Sequence, residues 1–352
     1  AVYIGASQFG ARQAAGNSVE DIAKLVEYAH IFGVKVYVTL NTIIYDEEIA
    51  EAEKLITELY NIGVDALIVQ DMGILRMNIP PIPLHASTQM DNCSADKVKF
   101  LSDVGFPRVV LARELSLQQI SEIHKANPDT ELEVFVHGAL CVSYSGQCYV
   151  SQHCFGRSAN RGECAQFCRL AFDLVDAAGK TIVQNKHLLS LKDLNQSEEL
   201  ERLLDAGASS FKIEGRLKDV SYVKNVVACY RQKLDAIFKR RKEYIRASSG
   251  SVKLAFKPQL DKSFTRGFTN YFLYERSKDI FSFDTPKSLG EEMGYVKEIR
   301  GNYIIVAGVK PFNNGDGICY LDERGKLKGL RINRVENNKL FPAGDMPRIK
   351  QR

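Results

Sequence analysis

Five of the chain's eight cysteines lie in one segment, Cys141 to Cys168, which reads CVSYSGQCYVSQHCFGRSANRGECAQFC. Four of them have the spacing C-x6-C-x15-C-x3-C, and Cys154 is the fifth. Iron–sulfur clusters and zinc sites need soft thiolate ligands at fixed distances, and four cysteines suffice for a [4Fe–4S] core. The segment therefore predicts a metal or iron–sulfur centre, and it marks the place where chemistry is expected.

Other interpretations of these thiols stay open. A zinc site more often uses C-x2-C pairs, so the spacing favours iron–sulfur over zinc. Disulfides suit small secreted scaffolds rather than a large α/β chain. Free cysteines are often buried small hydrophobes, which fits Cys229 on a helix and Cys319 in a strand. Cys93 is undecided, and Cys154 is either a spare thiol or a replacement ligand.

Up to about residue 245, short β-branched runs alternate with amphipathic helical segments. Helices are predicted at 19–26, 47–60 and 95–104, with Ser18 and Ser116 at N-cap positions. Buried strands, each followed by a crossover helix, indicate an α/β fold with a parallel sheet covered on both faces. The predicted strands are 1–5, 35–41, 66–71, 83–88, 108–113, 132–138 and 210–215.

The regular recurrence of helix-end glycines before strands, at Gly33, Gly63 and Gly105, favours a TIM-like (β/α)8 barrel. An open doubly wound sheet is the alternative. The eighth strand is either 188–194 or a strand before Ala1, where we expect residues to be missing. In such a barrel the active site lies at the carboxyl ends of the strands.

Polar residues concentrate at those strand ends, and the cysteine segment follows strand 132–138 directly. It therefore falls at the same mouth of the predicted barrel. The polar residues there are Asn41, Gln70, Asp71, His85, Ser87, Thr88, Gln89, Arg113, Glu114, His137, Lys212, Glu214 and Arg216.

A long helix is predicted at 220–245, and it ends in the basic cluster Lys239 to Lys242. After Gly250 the pattern changes to alternating strands separated by turn signals, typical of a small antiparallel β-barrel. We therefore predict a catalytic barrel domain at 1–249, which includes the cysteine-rich segment 138–170. A β-rich domain is predicted at 250–352.

The chain has 352 residues, 45% hydrophobic and 26% charged, which are ordinary globular values. The net charge of +4 permits a nucleic-acid partner without arguing for one. Neither an apolar run of bilayer length nor a signal peptide is visible. These features predict a cytoplasmic protein that does not bind membranes, and they leave its oligomeric state open.

Several motifs resemble those of the U32 family, historically labelled collagenase-like peptidases. The most specific are EVFVHGALC at 133–141 with GQCYVS at 146–151, and RSANRGECAQFCR at 157–169. The resemblance covers most of residues 1–235. Further matches lie at 2–12, 85–90, 187–194 and 210–231.

The resemblance implies a [4Fe–4S] cluster, and by motif match its ligands are Cys141, Cys148, Cys164 and Cys168. The versions RSANRGECAQFCR and FKIEGRLKD look most like the branch that hydroxylates cytidine in 23S ribosomal RNA. Sister branches make 5-hydroxyuridine in tRNA with prephenate, or hydroxylate a ubiquinone precursor without dioxygen. The family usually begins with an extra strand and helix before the VYIG segment, which supports an incomplete start here.

The leading hypothesis is an iron–sulfur-dependent hydroxylase acting at C5 of a pyrimidine in RNA, with cytidine in 23S rRNA as its substrate. Lys212, Arg216 and Arg113 can bind RNA phosphates or the carboxylates of a prephenate-like co-substrate. Glu214 or His137 can move protons. The predicted catalytic residues are Glu214, Arg216, His137 and Lys212, and the predicted substrate-binding residues are Arg113, Gln89 and Asn41.

Two hypotheses from other classes remain. A peptidase would need a cysteine nucleophile paired with His137 or His153, because the sequence has neither HExxH nor GxSxG. Several clustered thiols are a poor arrangement for that role. A non-catalytic RNA-binding or assembly factor with a structural metal would bind through the C-terminal β-barrel.

Overall fold

The computed structural model describes residues 1–11, 16–215, 218–322 and 326–346. They form two compact units. The first unit contains Ala1–Phe167, Leu194–Pro258 and Thr269–Ile280. The second contains Cys168–Asp193, Gln259–Phe268 and the described residues from Phe281 onward. The units interleave along the chain, whereas the sequence predicts one boundary near residue 250, which stays a prediction.

Regular elements follow the predicted alternation closely. The α-helices are α1 (Val19–His30), α2 (Ile49–Asn61), α3 (Ala95–Asp103), α4 (Leu117–Ala126), α5 (Val150–Phe155), α6 (Leu200–Asp205) and α7 (Val220–Arg240). The strands are β1 (Val2–Ala6), β2 (Gly16–Asn17), β3 (Val36–Leu40), β4 (Ala66–Val69), β5 (Leu84–Ala86), β6 (Arg108–Val110), β7 (Glu131–Ala139), β8 (Phe172–Val175), β9 (Thr181–Lys186), β10 (Asp193–Asn195), β11 (Ala208–Ile213), β12 (Phe268–Thr269), β13 (Tyr295–Arg300), β14 (Tyr303–Ala307), β15 (Gly317–Leu321), β16 (Leu327–Glu336) and β17 (Lys339–Pro342).

A large, mostly parallel sheet organises the first unit. In the described residues its strand order is β12-β10-β7-β6-β5-β4-β3-β1-β2, and β11 also pairs with β7. Every residue of β3 and β4 is buried, as expected where helices cover both faces of a parallel sheet. The predicted α/β fold with crossover helices is confirmed. Closure into a (β/α)8 barrel stays a prediction, because the strand order has two ends in the part of the chain described.

The helices begin where the sequence places caps. Ser18 Oγ accepts from Asp21 N at 3.1 Å, and Ser116 Oγ accepts from Gln119 N at 3.3 Å. Each bond satisfies a backbone donor that the first helical turn leaves unpaired, so both N-cap predictions are confirmed.

The second unit contains a five-stranded antiparallel sheet, in the order β13-β14-β17-β16-β15, and the hairpin β8-β9. Its core consists of Ile304, Val306, Ile332 and Leu340. The predicted antiparallel strands are therefore confirmed, and their closure into a small barrel stays a prediction. In the described part of the chain, none of the helices combines the length and apolarity that crossing a bilayer requires.

Candidate functional site

Buried polar side chains follow the carboxyl ends of β3, β4, β5 and β6. They belong to Asn41, Gln70, Ser87 and Glu114. Asn41 Nδ2 donates to Ser87 Oγ at 3.2 Å, and Asn41 Oδ1 accepts from Ala11 N at 3.1 Å. These residues form a polar floor at the sheet edge where parallel α/β proteins carry their sites.

Gln89, in the turn after β5, is half-buried beside this floor. Its carbonyl accepts from Gln70 Nε2 at 3.5 Å. The buried Gln70 Oε1 has no hydrogen-bond partner among the described residues, so an acceptor is left over at the strand ends. The Asn41 side-chain amide already forms hydrogen bonds within the protein, through both its nitrogen and its oxygen. The predicted substrate-binding roles of Asn41 and Gln89 stay predictions.

The loop between Cys141 and Cys148 is pinned to the strand ends. Ser145 N and Oγ donate to the two carboxylate oxygens of Glu114, at 2.9 and 3.0 Å. Gly146 has a φ of +76°, and a Cβ there would lie 2.2 Å from the backbone oxygen of Gln89. Since no side chain fits between these backbones, glycine is required at this position.

The rest of the segment is anchored as well. Ser151, in α5, is buried, and its Oγ accepts from Ala165 N at 3.0 Å, which holds the backbone next to Cys164 against α5. Arg161 forms a bidentate ion pair with Glu48, at 2.7 and 2.5 Å. Its guanidinium also lies 4.3 Å from the centre of the Tyr45 ring. We call residues 141–167 of the first unit the cysteine strap.

All eight cysteines carry free thiols. Residue Cys141 is accessible to solvent, yet protein atoms surround its thiol. This burial raises the thiol pKa, Arg113 lowers it, and the nearby Cys148 and Cys164 raise it again. Cys148 and Cys164, two further predicted ligands, thus each lie within electrostatic range of Cys141. Cys319, interpreted from sequence as buried, is exposed, because it lies on the open strand β15.

The environment of the thiols fits a cationic cluster. Thiolates that repel one another are stabilised when a metal centre shares their charge. Cys164 Sγ also accepts a hydrogen bond from Gln166 N at 3.4 Å, the kind of contact that tunes iron–sulfur centres. Within the described residues, no group of three or more His, Cys, Asp or Glu side chains is already arranged to hold a metal ion.

Cys168 is the first residue of the second unit, and it interacts electrostatically with the buried Arg266. The pKa of Arg266 is lowered by burial, and Asp193 and Cys168 each oppose that effect. Arg266 Nη1 lies 2.9 Å from Asp193 Oδ1. Cys168 therefore has a cationic neighbour in its own unit, as Cys141 has Arg113 in the first.

Arg113 contacts β7 and the segment that follows β11. Its guanidinium lies 3.6 Å from the centre of the Phe135 ring and 3.7 Å from Glu214 Oε2. Both members of the ion pair are largely buried, with side chains 18% and 21% exposed. Arg113 therefore pairs with the Glu214 carboxylate and also acts electrostatically on the Cys141 thiol.

A glycine brings Glu214 to this position. Gly138, near the end of β7, has a φ of +116°, and a Cβ there would lie 2.7 Å from the Glu214 carbonyl oxygen. Glu214 N donates to the carbonyl of His137 at 2.9 Å. The chain after β11 thus runs tightly along the end of β7. Arg216, the neighbouring predicted catalytic residue, lies outside the described residues.

His137 is buried below the strap, and its Nδ1 lies 3.3 Å from the hydroxyl of Tyr230. That hydroxyl donates to the Val136 carbonyl at 2.6 Å. Burial lowers the pKa of His137 to about 4, so the imidazole is neutral near pH 7. Its predicted proton-moving role stays a prediction.

His137 and His85 should make stability depend on pH. Burial lowers both pKa values from 6.5 to about 4. The unfolded chain binds these two protons more readily, so stability is complete above pH 6.5 and is lost as the pH falls towards 4. The loss should reach about 3 kcal/mol per histidine.

Urea unfolding followed by circular dichroism at several pH values measures this loss. His137→Phe should remove about half of it, since Tyr230 keeps its bond to Val136. An equally steep pH dependence in wild type and His137→Phe would contradict the assignment.

Lys212 contributes to a separate charge network within the sheet. Lys212 Nζ lies 3.2 Å from Glu133 Oε1 and 3.8 Å from the centre of the Tyr3 ring. Glu133 also accepts hydrogen bonds from Tyr3 and Ser210. Burial opposes ionisation of Glu133, but Lys212, Tyr3 and Arg108 outweigh it and lower its pKa. Glu133 is therefore a buried carboxylate balanced by cations.

Sequence reasoning listed Glu114 among the polar residues at the strand ends and Glu133 as part of a family motif, but it gave neither a role, and it did not single out Ser145. A signal for Glu133 exists, because a charged residue interrupts the apolar run of β7. Glu114 and Ser145 are 31 residues apart, and their contact depends on the fold.

Comparison with known proteins shows the family of the chain. The model of Peptidase family U32 matches residues 1–281. The "23S rRNA 5-hydroxycytidine C2501 synthase" of Escherichia coli (strain K12) is 55% identical over 336 residues, 96% of this chain and 51% of that protein. The "tRNA hydroxylation protein P1" of Bacillus subtilis (strain 168) is 39% identical over 246 residues, 67% of this chain and 58% of that protein.

A third relative is named for a different activity. It is the "Collagenase" of Porphyromonas gingivalis (strain ATCC BAA-308 / W83), 35% identical over 296 residues, 78% of this chain and 69% of that protein. The chain spans about half the length of the first of these relatives.

Proposed function

The chain belongs to peptidase family U32, and from this premise we propose that it hydroxylates C5 of a pyrimidine in RNA, with cytidine in 23S rRNA as its substrate. The observation that carries the proposal is 55% identity, across 96% of this chain, to a 23S rRNA 5-hydroxycytidine synthase. The relative named for tRNA hydroxylation supports the same reaction class. The proposal implies that the protein works in the cytoplasm.

The proposal includes a [4Fe–4S] cluster, whose ligands would be Cys141, Cys148 and Cys164 of the cysteine strap together with Cys168. When bound, such a cluster supplies one-electron redox or Lewis-acid chemistry. Arg113 then offsets the negative charge of the thiolates and holds Glu214 at the same edge of the site. The Glu214 carboxylate can accept or return a proton there.

The surface of the strap suits an extruded base. Tyr144 and Tyr149, which flank Cys148 in sequence, are 63% and 61% exposed, although the strap around them is anchored. Exposed aromatic rings next to arginines are the composition of surfaces that stack unpaired bases. Since a base in folded RNA is inaccessible at C5, it must be turned out before reaction. Tyr144 and Tyr149 are placed to receive it.

We also propose that the parallel sheet of the first unit closes into a barrel. Tyr3 of β1 and Lys212 of β11 contact each other, although these strands do not pair among the described residues. Side chains of β1, β7 and β11 meet at Glu133. Such convergence is expected if the parallel sheet curls into a (β/α)8 barrel with a filled interior.

Peptidase activity, suggested by the collagenase relative, is less well supported. A cysteine nucleophile requires a lowered thiol pKa, whereas that of Cys141 is raised. His137 contacts tyrosines instead, and its ring lies 5.5 Å from that of Tyr230. The prephenate-like co-substrate stays a prediction, and Arg113 is the cation at the strap that could meet its carboxylates.

Nucleoside mass spectrometry of RNA from wild-type and deletion strains tests the proposed function. We expect 5-hydroxycytidine to disappear from 23S rRNA of the deletion strain and to return when the gene is restored. Loss of a hydroxypyrimidine from tRNA alone would identify tRNA as the substrate in place of 23S rRNA. Unchanged hydroxypyrimidines in both RNAs would overturn the proposal.

A further inference from the structure

The second unit contains a cavity of about 760 Å³ that the site described above does not use. Most of its lining comes from three segments: the end of β9 with the residue that follows, the loop at 284–287, and Lys326 with the first residue of β16; Ala171, just before β8, completes it. The volume is that of a ligand-sized cleft. It is too large for one inorganic ion and is open enough for part of a polymer.

The lining carries a surplus of positive charge. Lys186, Lys287 and Lys326 come from the three segments, and Asp284 is the acidic residue among the lining residues. Lys186 Nζ lies 2.6 Å from Asp284 Oδ1, so this pair is internally balanced. Lys287 and Lys326 are exposed and add two charges to the same concave wall. Like charges gathered in a cleft favour an anionic occupant.

An exposed aromatic residue, Phe283, directly precedes the lining loop 284–287 in sequence, and His187 is itself a lining residue. Phe283 is 45% exposed and stacks on Phe281, with ring centres 5.2 Å apart. His187, another lining residue, donates from Nδ1 to the Arg169 carbonyl at 2.9 Å, which fixes its ring. Cations interleaved with an exposed aromatic face are what proteins use to hold single-stranded nucleic acid.

We propose that this groove, formed by residues 184–187, 284–287 and 326–327, binds the phosphate backbone of the single-stranded RNA that carries the target base. The inference rests on the proposed function, because it assigns the groove to the RNA that carries the modified pyrimidine. Lys287 and Lys326 contact phosphates, and Phe283 stacks a neighbouring base. A groove of this kind binds the RNA backbone whatever the base sequence is. The target base is then selected at the cysteine strap.

Fluorescence anisotropy with a labelled single-stranded RNA of about 20 nucleotides tests the groove. The full chain is titrated at several KCl concentrations, as wild type and as Lys287→Gln/Lys326→Gln. Each lost phosphate contact lowers the slope of log affinity against log salt by about 0.7. The double variant should therefore lose about 1.4 from the slope and bind about 25-fold more weakly at 0.1 M salt.

The matched control is Lys297→Gln/Lys339→Gln, which removes two exposed lysines of the same unit outside the groove. It should keep the wild-type slope and affinity. Equal losses in both double variants, or none in either, would overturn the groove. If an acidic peptide displaces the labelled RNA at an equal concentration of negative charge, the partner of the groove is a protein. That result would also overturn the proposal.

Failure of the groove and failure of the proposed function are separable. If the deletion strain loses 5-hydroxycytidine while the groove variant keeps its salt slope, the groove alone is wrong. If hydroxypyrimidines are unchanged in the deletion strain, the proposed function is wrong whatever the binding data show.

Discussion

Replacing Cys148 by Ser should abolish hydroxylation, with a loss of more than 100-fold in 5-hydroxycytidine when the variant is expressed in a deletion strain. A serine hydroxyl is a hard, weakly acidic ligand that does not replace a thiolate at an iron–sulfur centre. The variant should also lose its bound iron. Cys148 is half-buried in the strap, so its loss should leave the parallel sheet folded.

The matched control is Cys154→Ser. Cys154 lies in the same strap, in α5, and is exposed. We expect this variant to retain iron and to modify RNA at the wild-type level. Hydroxylation by Cys148→Ser at the wild-type level would contradict a role of the cysteine strap in the reaction. Equal loss in Cys154→Ser would mean that Cys154 belongs to the ligand set.

The second large effect is expected at Arg113. Arg113→Gln removes a cation that pairs with the largely buried Glu214 carboxylate and lowers the pKa of the Cys141 thiol. Truncating one member of such a pair costs about 2–5 kcal/mol. We expect a loss of about 30- to 5,000-fold in the hydroxylation rate, measured with purified protein and an rRNA fragment.

A double-mutant cycle shows whether Arg113 and Glu214 act together. If they act as a unit, Arg113→Gln/Glu214→Gln should be no slower than the slower single variant. Arg231→Gln is a suitable control, because Arg231 on α7 pairs with Asp235 at 2.7 Å and has a side chain 23% exposed. It should retain wild-type activity. Simple multiplication of the two single effects would contradict joint action.

The elements that obey local rules could be predicted from sequence. Ser18 and Ser116 are caps because their hydroxyls satisfy donors within the same helical turn. β3 and β4 are recognisable because parallel strands covered on both faces must be apolar throughout. The cysteine strap is visible because ligand spacing is itself a property of sequence.

Contacts between distant segments could not be predicted in the same way. Tyr3 and Glu133 are 130 residues apart, and their hydrogen bond depends on the order of strands in the sheet. The catalytic role predicted for Lys212 from its place near a strand end stays a prediction, and the sequence did not indicate that its ammonium group pairs with Glu133. The direction of a side chain depends on register, which motif position does not show.

The central claim is that the cysteine strap and Cys168 hold an iron–sulfur centre. Iron and acid-labile sulfide analysis of anaerobically purified protein, with its visible absorption spectrum, tests this most directly. We predict about four iron and four sulfide per chain, and a broad visible band that bleaches on reduction. Stoichiometric zinc without iron, or protein free of both metals that still hydroxylates RNA, would contradict the account.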